Sequence, residues 1–113
     1  MDNLNNNTLE IAITKVLQDY RDFLGNDPDS DLQLIIDESK THYLLIETGW
    51  QNNRRIYGNL IHIDIINNKI WIQQDGTEAG IANELVKQGT PPQQIVLAFK
   101  TPERRKITDF AVS

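Results

Sequence analysis

The sequence predicts an α+β domain: an N-terminal helix, a four-stranded antiparallel β-meander, then C-terminal helices and a short final strand, with the helices packed on one sheet face. Three observations predict it. From Thr8 to Leu24 apolar residues recur at helical spacing. Between Leu32 and Gln74 several apolar runs are joined by connections too short for a parallel crossover. After Asp75-Gly76 the helical period returns.

The first helix is carried by Leu9, Ala12, Ile13, Val16, Leu17, Tyr20, Phe23 and Leu24, a stripe that reads as core. Thr8 is the expected N-cap and Gly25 the stop at C′, which leaves residues 1–7, with Asn5, Asn6 and Asn7, expected to fray. Gly25 to Asp31 is a loop by composition. Strands are expected over Leu32 to Asp37, His42 to Glu47 with Trp50 closing, Arg55 to Ile66, and Lys69 to Gln74. Ser39-Lys40-Thr41 and Gln51-Asn52-Asn53 make the first two turns. Asn67-Asn68 suits a two-residue type I′ hairpin, because Asn tolerates positive φ. Thr77 is the expected cap of a helix that presents Ile81, Ala82, Leu85 and Val86 and ends at Gly89, before Pro91-Pro92. Ile95 to Phe99 reads as strand or buried helix. Thr101-Pro102-Glu103 starts a helix, and Ile107 to Val112 is the expected final strand.

A chain of 113 residues is expected to form a single domain, 1–113. Such a chain buries roughly two-thirds of its unfolded surface, enough for one modest core. The absence of cysteine removes disulfides, thiolate metal sites and cysteine nucleophiles together. No apolar run approaches the ~20 residues of a membrane span, and the start MDNLNNNTLE lacks the order of a signal peptide, so a cytoplasmic protein is expected. Net charge is −5, which disfavours strong unaided binding to phosphate backbones. No serine–histidine–acid grouping or dinucleotide fingerprint is present, and Gly76 and Gly80 lack the lysine of a phosphate loop.

Residues 58–78 hold the densest polar chemistry. On a regular strand Ile61, Ile63 and Ile65 share one face, and His62 and Asp64 share the other with Leu60 and Ile66. An imidazole and a carboxylate two residues apart can pair structurally, serve as base and orienter, or supply two metal ligands. A metal wants three or four protein ligands, and the one other histidine is His42, on the adjacent strand. A structural pair is therefore favoured over a metal or acid–base site and over an interaction surface. Asp75 and Glu78 sit at a helix start, where carboxylates suit the dipole. Pro28-Asp29 and Glu38-Ser39-Lys40 spell a loose PD…ExK nuclease pattern, but Glu-Ser-Lys falls on an expected turn. Arg54-Arg55 and Arg104-Arg105-Lys106 are the basic clusters, and Trp50, Tyr57 and Trp71 could stack bases. The favoured reading pairs these arginines with the sixteen acidic residues and places the aromatics in the sheet core.

The runs Gly49-Trp50, Arg54-Arg55-Ile56-Tyr57-Gly58, Ile61-His62-Ile63-Asp64-Ile65 and Lys69-Ile70-Trp71-Ile72-Gln73-Gln74-Asp75-Gly76-Thr77-Glu78 closely resemble the XisI-like family, the fdxN element excision controlling factors of cyanobacteria. The resemblance continues through Ile81 to Val86, Ile95 to Phe99 and Thr108 to Val112, leaving out only the N-terminal asparagines and the loop near Pro28. It implies a small α+β protein that serves programmed excision of a DNA element, in which a separate recombinase cuts and joins. A companion XisH-like protein is the implied partner, with a recombinase complex beyond it. The resemblance carries over no catalytic residue, cofactor or metal, and none is expected. Trp50, Arg55, Tyr57, His62, Asp64, Trp71, Gln73, Gln74, Thr77 and Glu78 are matched positions of unassigned role.

With an acidic chain, contact with a basic protein is the favoured mode of action, a homodimer being compatible. The expected function is thus a non-enzymatic controlling factor. The alternatives are a direct DNA-binding factor using Arg54/Arg55 and Arg104/Arg105/Lys106, and an enzyme centred on His62/Asp64.

Overall fold

The computed structural model describes residues 4–25 and 27–113. Helix α1, Asn6–Leu24, begins three residues earlier than Thr8 would allow. Asn5 is the N-cap, and its Oδ1 accepts from the Thr8 N–H at 2.9 Å. Thr8 lies inside the first turn and only donates its hydroxyl to the same oxygen. The expected fraying of residues 1–7 is also corrected at Leu4, whose N–H donates at 2.7 Å to the side-chain oxygen of Gln94. That amide, fully buried, returns a hydrogen bond to the Leu4 carbonyl and gives a second to Asn68. Gly25 closes the helix as C-cap with φ −74°, so it is not a left-handed C′ residue.

Five strands follow in the order β1-β2-β3-β4-β5: β1 Ser30–Ile36, β2 His42–Gln51, β3 Arg54–Ile66, β4 Lys69–Asp75 and β5 Ile95–Leu97. The first four form the antiparallel meander. Asn52-Asn53 and Asn67-Asn68 both hold positive φ, as type I′ turns require. β5 settles the ambiguous apolar run as a strand, and it pairs parallel to β4. The crossover that parallel pairing needs is supplied by α2, Ile81–Lys87. Residues 107–112 do not form the expected strand; Ala111 makes one parallel bridge to Val96.

Thr77 is not the cap of α2 either. Gly80 occupies that position, and Asp75 instead accepts from the Ile81 N–H at 2.8 Å. Gly89, at φ 102°, and the following prolines end α2. Thr101 does cap α3, Pro102–Arg105, accepting from the Arg104 N–H. Gly49 is fixed by close approach, because a Cβ there would meet the Asp29 carbonyl oxygen at 2.2 Å.

The core lies between α1 and α2 and one face of the sheet. Leu9, Ile13 and Leu17 meet Tyr43, Leu45, Ile61, Ile63, Ile70 and Ile72, with Ile81 and Leu85 sealing the end. Each such fully buried side chain stabilises by roughly 1.5–3 kcal/mol, more than any of the exposed ion pairs on α1 or α2. α3 lies apart from this layer, since its Arg105 guanidinium stacks on Trp71, which points to the opposite face.

Ile63, fully buried between its cross-strand partners Tyr43 and Ile72, is the centre of that core. Ile63→Ala is expected to lower unfolding stability by about 2–5 kcal/mol, read as a shift of the urea midpoint.

Candidate functional site

The face of the sheet opposite α1 gathers His42 and Leu44 of β2, His62 and Asp64 of β3, and Trp71 and Gln73 of β4. Two bulges build this arrangement. Counting back from the Asn52-Asn53 turn, an unbroken ladder would set His42 opposite Ile63 and turn Asp64 to the core side. Leu60 is one extra residue in β3, so the register moves and His42 lies opposite Asp64. The expectation that Leu60 shares a face with His62 is overturned for the same reason: at the bulge it packs against the core cluster. In β4 the extra residue is Gln73, which turns toward Asp64.

Asp64 is the hub. It is only 8% exposed, and its carboxylate is met by three side chains. His42 Nδ1 lies 2.7 Å and His62 Nε2 3.0 Å from Oδ1, while the Gln73 amide donates to Oδ2 at 3.2 Å. An ionised carboxylate only accepts, so both facing ring nitrogens carry hydrogen in this arrangement. The three N–H groups offset the cost of burying the charge. His42 is held from behind by Asp37, whose Oδ1 accepts from the backbone N–H groups of Thr41 and His42, each at 2.9 Å. The Ser39 hydroxyl and these N–H groups hold the Asp37 carboxyl well below the usual carboxylate range. The hydrogen bond to Asp64 and the Asp64 charge raise the His42 imidazole above its ordinary 6.5.

The other sequence-singled residues divide into two groups. Trp50 on β2, with Arg55 and Tyr57 on the part of β3 that extends beyond β4, lie far along the same face, and Trp50 and Tyr57 are exposed rather than in the expected sheet core. The Arg55 guanidinium sits 5.4 Å from the Trp50 ring, and Tyr57 is 70% exposed. Gln74, Thr77 and Glu78 lie at or just past the C-terminal end of β4, toward the same end of β3. There the Gln74 amide donates to the Asn59 carbonyl, and the Thr77 N–H and hydroxyl donate to Asp75. Glu78 is exposed. Asp29 and Glu38 stand at opposite ends of β1, and Lys40 pairs with Glu10 at 3.3 Å, so the nuclease-like pattern is not assembled.

Arg105, read as part of a basic cluster, is instead a clamp. It donates to the carbonyls of Leu97, Ala98, Lys100 and Val112 and covers the Trp71 ring at 5.6 Å. Lys106 pairs with Glu103 at 3.4 Å. His42 is the residue missing from the sequence-derived candidates. Its signal was available in Asp37-x-Ser39-x-Thr41, whose short side chains organise the turn that delivers it.

A family model described as XisI protein matches residues 1–112. The chain belongs to the XisI family. Its fold superimposes on a XisI-like protein from Anabaena variabilis with a TM-score of 0.84, at 39% identity over 93% of this chain and 96% of that one. It also matches the fdxN element excision controlling factor XisI of Anabaena variabilis, with a TM-score of 0.81 and 32% identity over 95% and 97% of the two chains. Among curated proteins, none matches. The expected XisI-like α+β architecture is therefore the one this chain adopts.

Within this XisI fold the histidine–aspartate link makes stability depend on pH. A histidine whose folded pKa is raised stabilises the fold below its unfolded pKa, and that contribution is lost as pH rises through the folded value. Between about pH 5.5 and about pH 8.5 the urea midpoint of the wild type should fall relative to that of His42→Ala. Parallel curves for the two proteins would show that the link carries no stability.

Proposed function

We propose that this XisI-family protein is a non-enzymatic controlling factor for the excision of a DNA element, the role named for its Anabaena relative. It acts by docking on a companion XisH-like protein rather than by cutting DNA or gripping it alone. The observation that carries this reading is the outer half of the open sheet face, where Trp50 is 59% and Tyr57 70% exposed beside Arg55. Large aromatics and arginine are the residue types that dominate binding energy in protein interfaces. They sit on the paired strands β2 and β3 beside a two-residue turn, so their backbone is already ordered when a partner covers them. The net charge of −5 favours a basic partner surface and disfavours a polyphosphate one. Two members of the C-terminal basic cluster are committed within the fold, Arg105 to carbonyls and Lys106 to Glu103.

Co-expression with the XisH-like protein of the same genome should give a complex that survives gel filtration. Trp50→Ala and Tyr57→Ala should each weaken it by about tenfold to a hundredfold in calorimetry, with unchanged thermal unfolding. A chain that stays alone in that experiment, yet binds duplex DNA with an affinity falling steeply with salt, would overturn the proposal.

A further inference from the structure

We propose that His42, His62 and Asp64 form a binding site for a divalent transition-metal ion of the zinc class. The ligand atoms His42 Nδ1, His62 Nε2 and Asp64 Oδ1 all lie within 4.8 Å of one another. A zinc ion bonds imidazole nitrogen and carboxylate oxygen at about 2.0–2.2 Å, so neighbouring ligands around it stand roughly 3 Å apart. The two nitrogens stand 2.7 and 3.0 Å from Oδ1. Small side-chain rotations therefore convert the hydrogen-bonded cluster into a coordination shell.

The meeting of two imidazoles with one carboxylate separates this cluster from a single histidine–aspartate pair. Gln73 holds Oδ2, which leaves Oδ1, with its two acceptor positions, to the imidazoles. Here two imidazoles, delivered by different strands, meet at Oδ1 alone. The supporting parts of a metal site are also present. Gln73 fixes the carboxylate, and Asp37 fixes the backbone at His42, as outer groups do around metal ligands. Entry is open, because the His42 side chain is 61% exposed. Asp64 is held in the strand ladder at its base, so the site is rigid where it is buried.

Two nitrogens and one oxygen select zinc, cobalt or nickel over magnesium or calcium, which take all-oxygen shells. On binding, the ion takes the place of the hydrogens on His42 Nδ1 and His62 Nε2. Each neutral ring then carries its hydrogen on the other nitrogen. Three protein ligands leave at least one position of the ion facing solvent on the open sheet face.

The chain offers a clean test, since it contains two histidines and no cysteine. Tag-free protein, stripped with a chelator, is titrated with Zn²⁺ and separately with Mg²⁺ in a calorimeter. One Zn²⁺ per chain is expected, with no Mg²⁺ uptake. His42→Ala, at an exposed position that the core does not need, should weaken Zn²⁺ binding by about tenfold or more. Nitrogen NMR of the imidazoles should show Zn²⁺ shifting Nδ1 of His42 and Nε2 of His62. Absence of saturable Zn²⁺ binding, equal affinity in His42→Ala, or a shift confined to one ring would overturn the assignment. Failure of the XisH-like complex to form leaves these readouts untouched, so the two proposals stand or fall separately.

Discussion

One extra residue in β3 decides which side chains meet on the open face of the sheet. Leu60 has no partner of its own in β2, and from that point to the strand end every cross-strand pair is displaced by one. Because side chains alternate strictly along a strand, a one-residue displacement decides which face each group meets. In a ladder without the bulge His42 would lie opposite Ile63, and Asp64 would lie opposite Thr41, turned toward the helices. The bulge leaves one position of the ladder unpaired, a cost of about 1 kcal/mol for a lost hydrogen bond. Leu60 offsets it by packing its side chain against the core, and its carbonyl accepts from the Gly76 N–H at 2.8 Å. The register is thus defended by apolar burial, while the polar cluster it creates lies on the other side of the sheet.

The acidic composition takes on a local meaning in this frame. Asp37, Asp64 and Asp75 are not diffuse surface charge. Asp37 ties the β1–β2 turn, Asp75 ties the start of α2, and Asp64 joins three strands. Each accepts several N–H or O–H groups, the arrangement in which a carboxylate is stable away from bulk water. Charge-assisted hydrogen bonds at the ends of strands also set where each turn begins, and so they feed back on register.

The sequence makes legible what is decided within a few residues. The Asn-Asn turns, the apolar stripe of α1, the Thr101-Pro102 helix start and the antiparallel meander all follow from local backbone preference and period. Competition between neighbouring caps is harder to read. Asn5 displaces Thr8 because Gln94 holds the chain at Leu4, a contact made across the whole length of the sequence. Asp75 displaces Thr77 because its carboxylate reaches the Ile81 N–H around the intervening turn. The bulges, and with them the partnership of His42 with Asp64, leave no local trace. A bulge is chosen by the fit of whole strands to the core, and a leucine within an apolar run looks the same in either register. The family resemblance marks the stretch of chain that carries most of these groups, but not which of them meet.

The open sheet face carries its two notable regions on one continuous surface. Trp50, Arg55 and Tyr57 occupy the distal hairpin, and His42, His62 and Asp64 lie farther along the same strands. Leu44 and Ile46 bridge them on β2, partly buried and apolar. A molecule seated on the aromatic end and extending along the strands would therefore come to lie over the histidines. It would then add shielding from water to the Asp64 cluster, where a lower local dielectric strengthens every interaction among those groups. Coupling of this kind needs no conformational change, because the strands that carry both regions are already fixed by the core beneath them. The Arg105 clamp sets the limit of that surface on the other side. By closing the C-terminal segment over Trp71, it leaves β1, β2 and the outer part of β3 as the accessible ground for a partner.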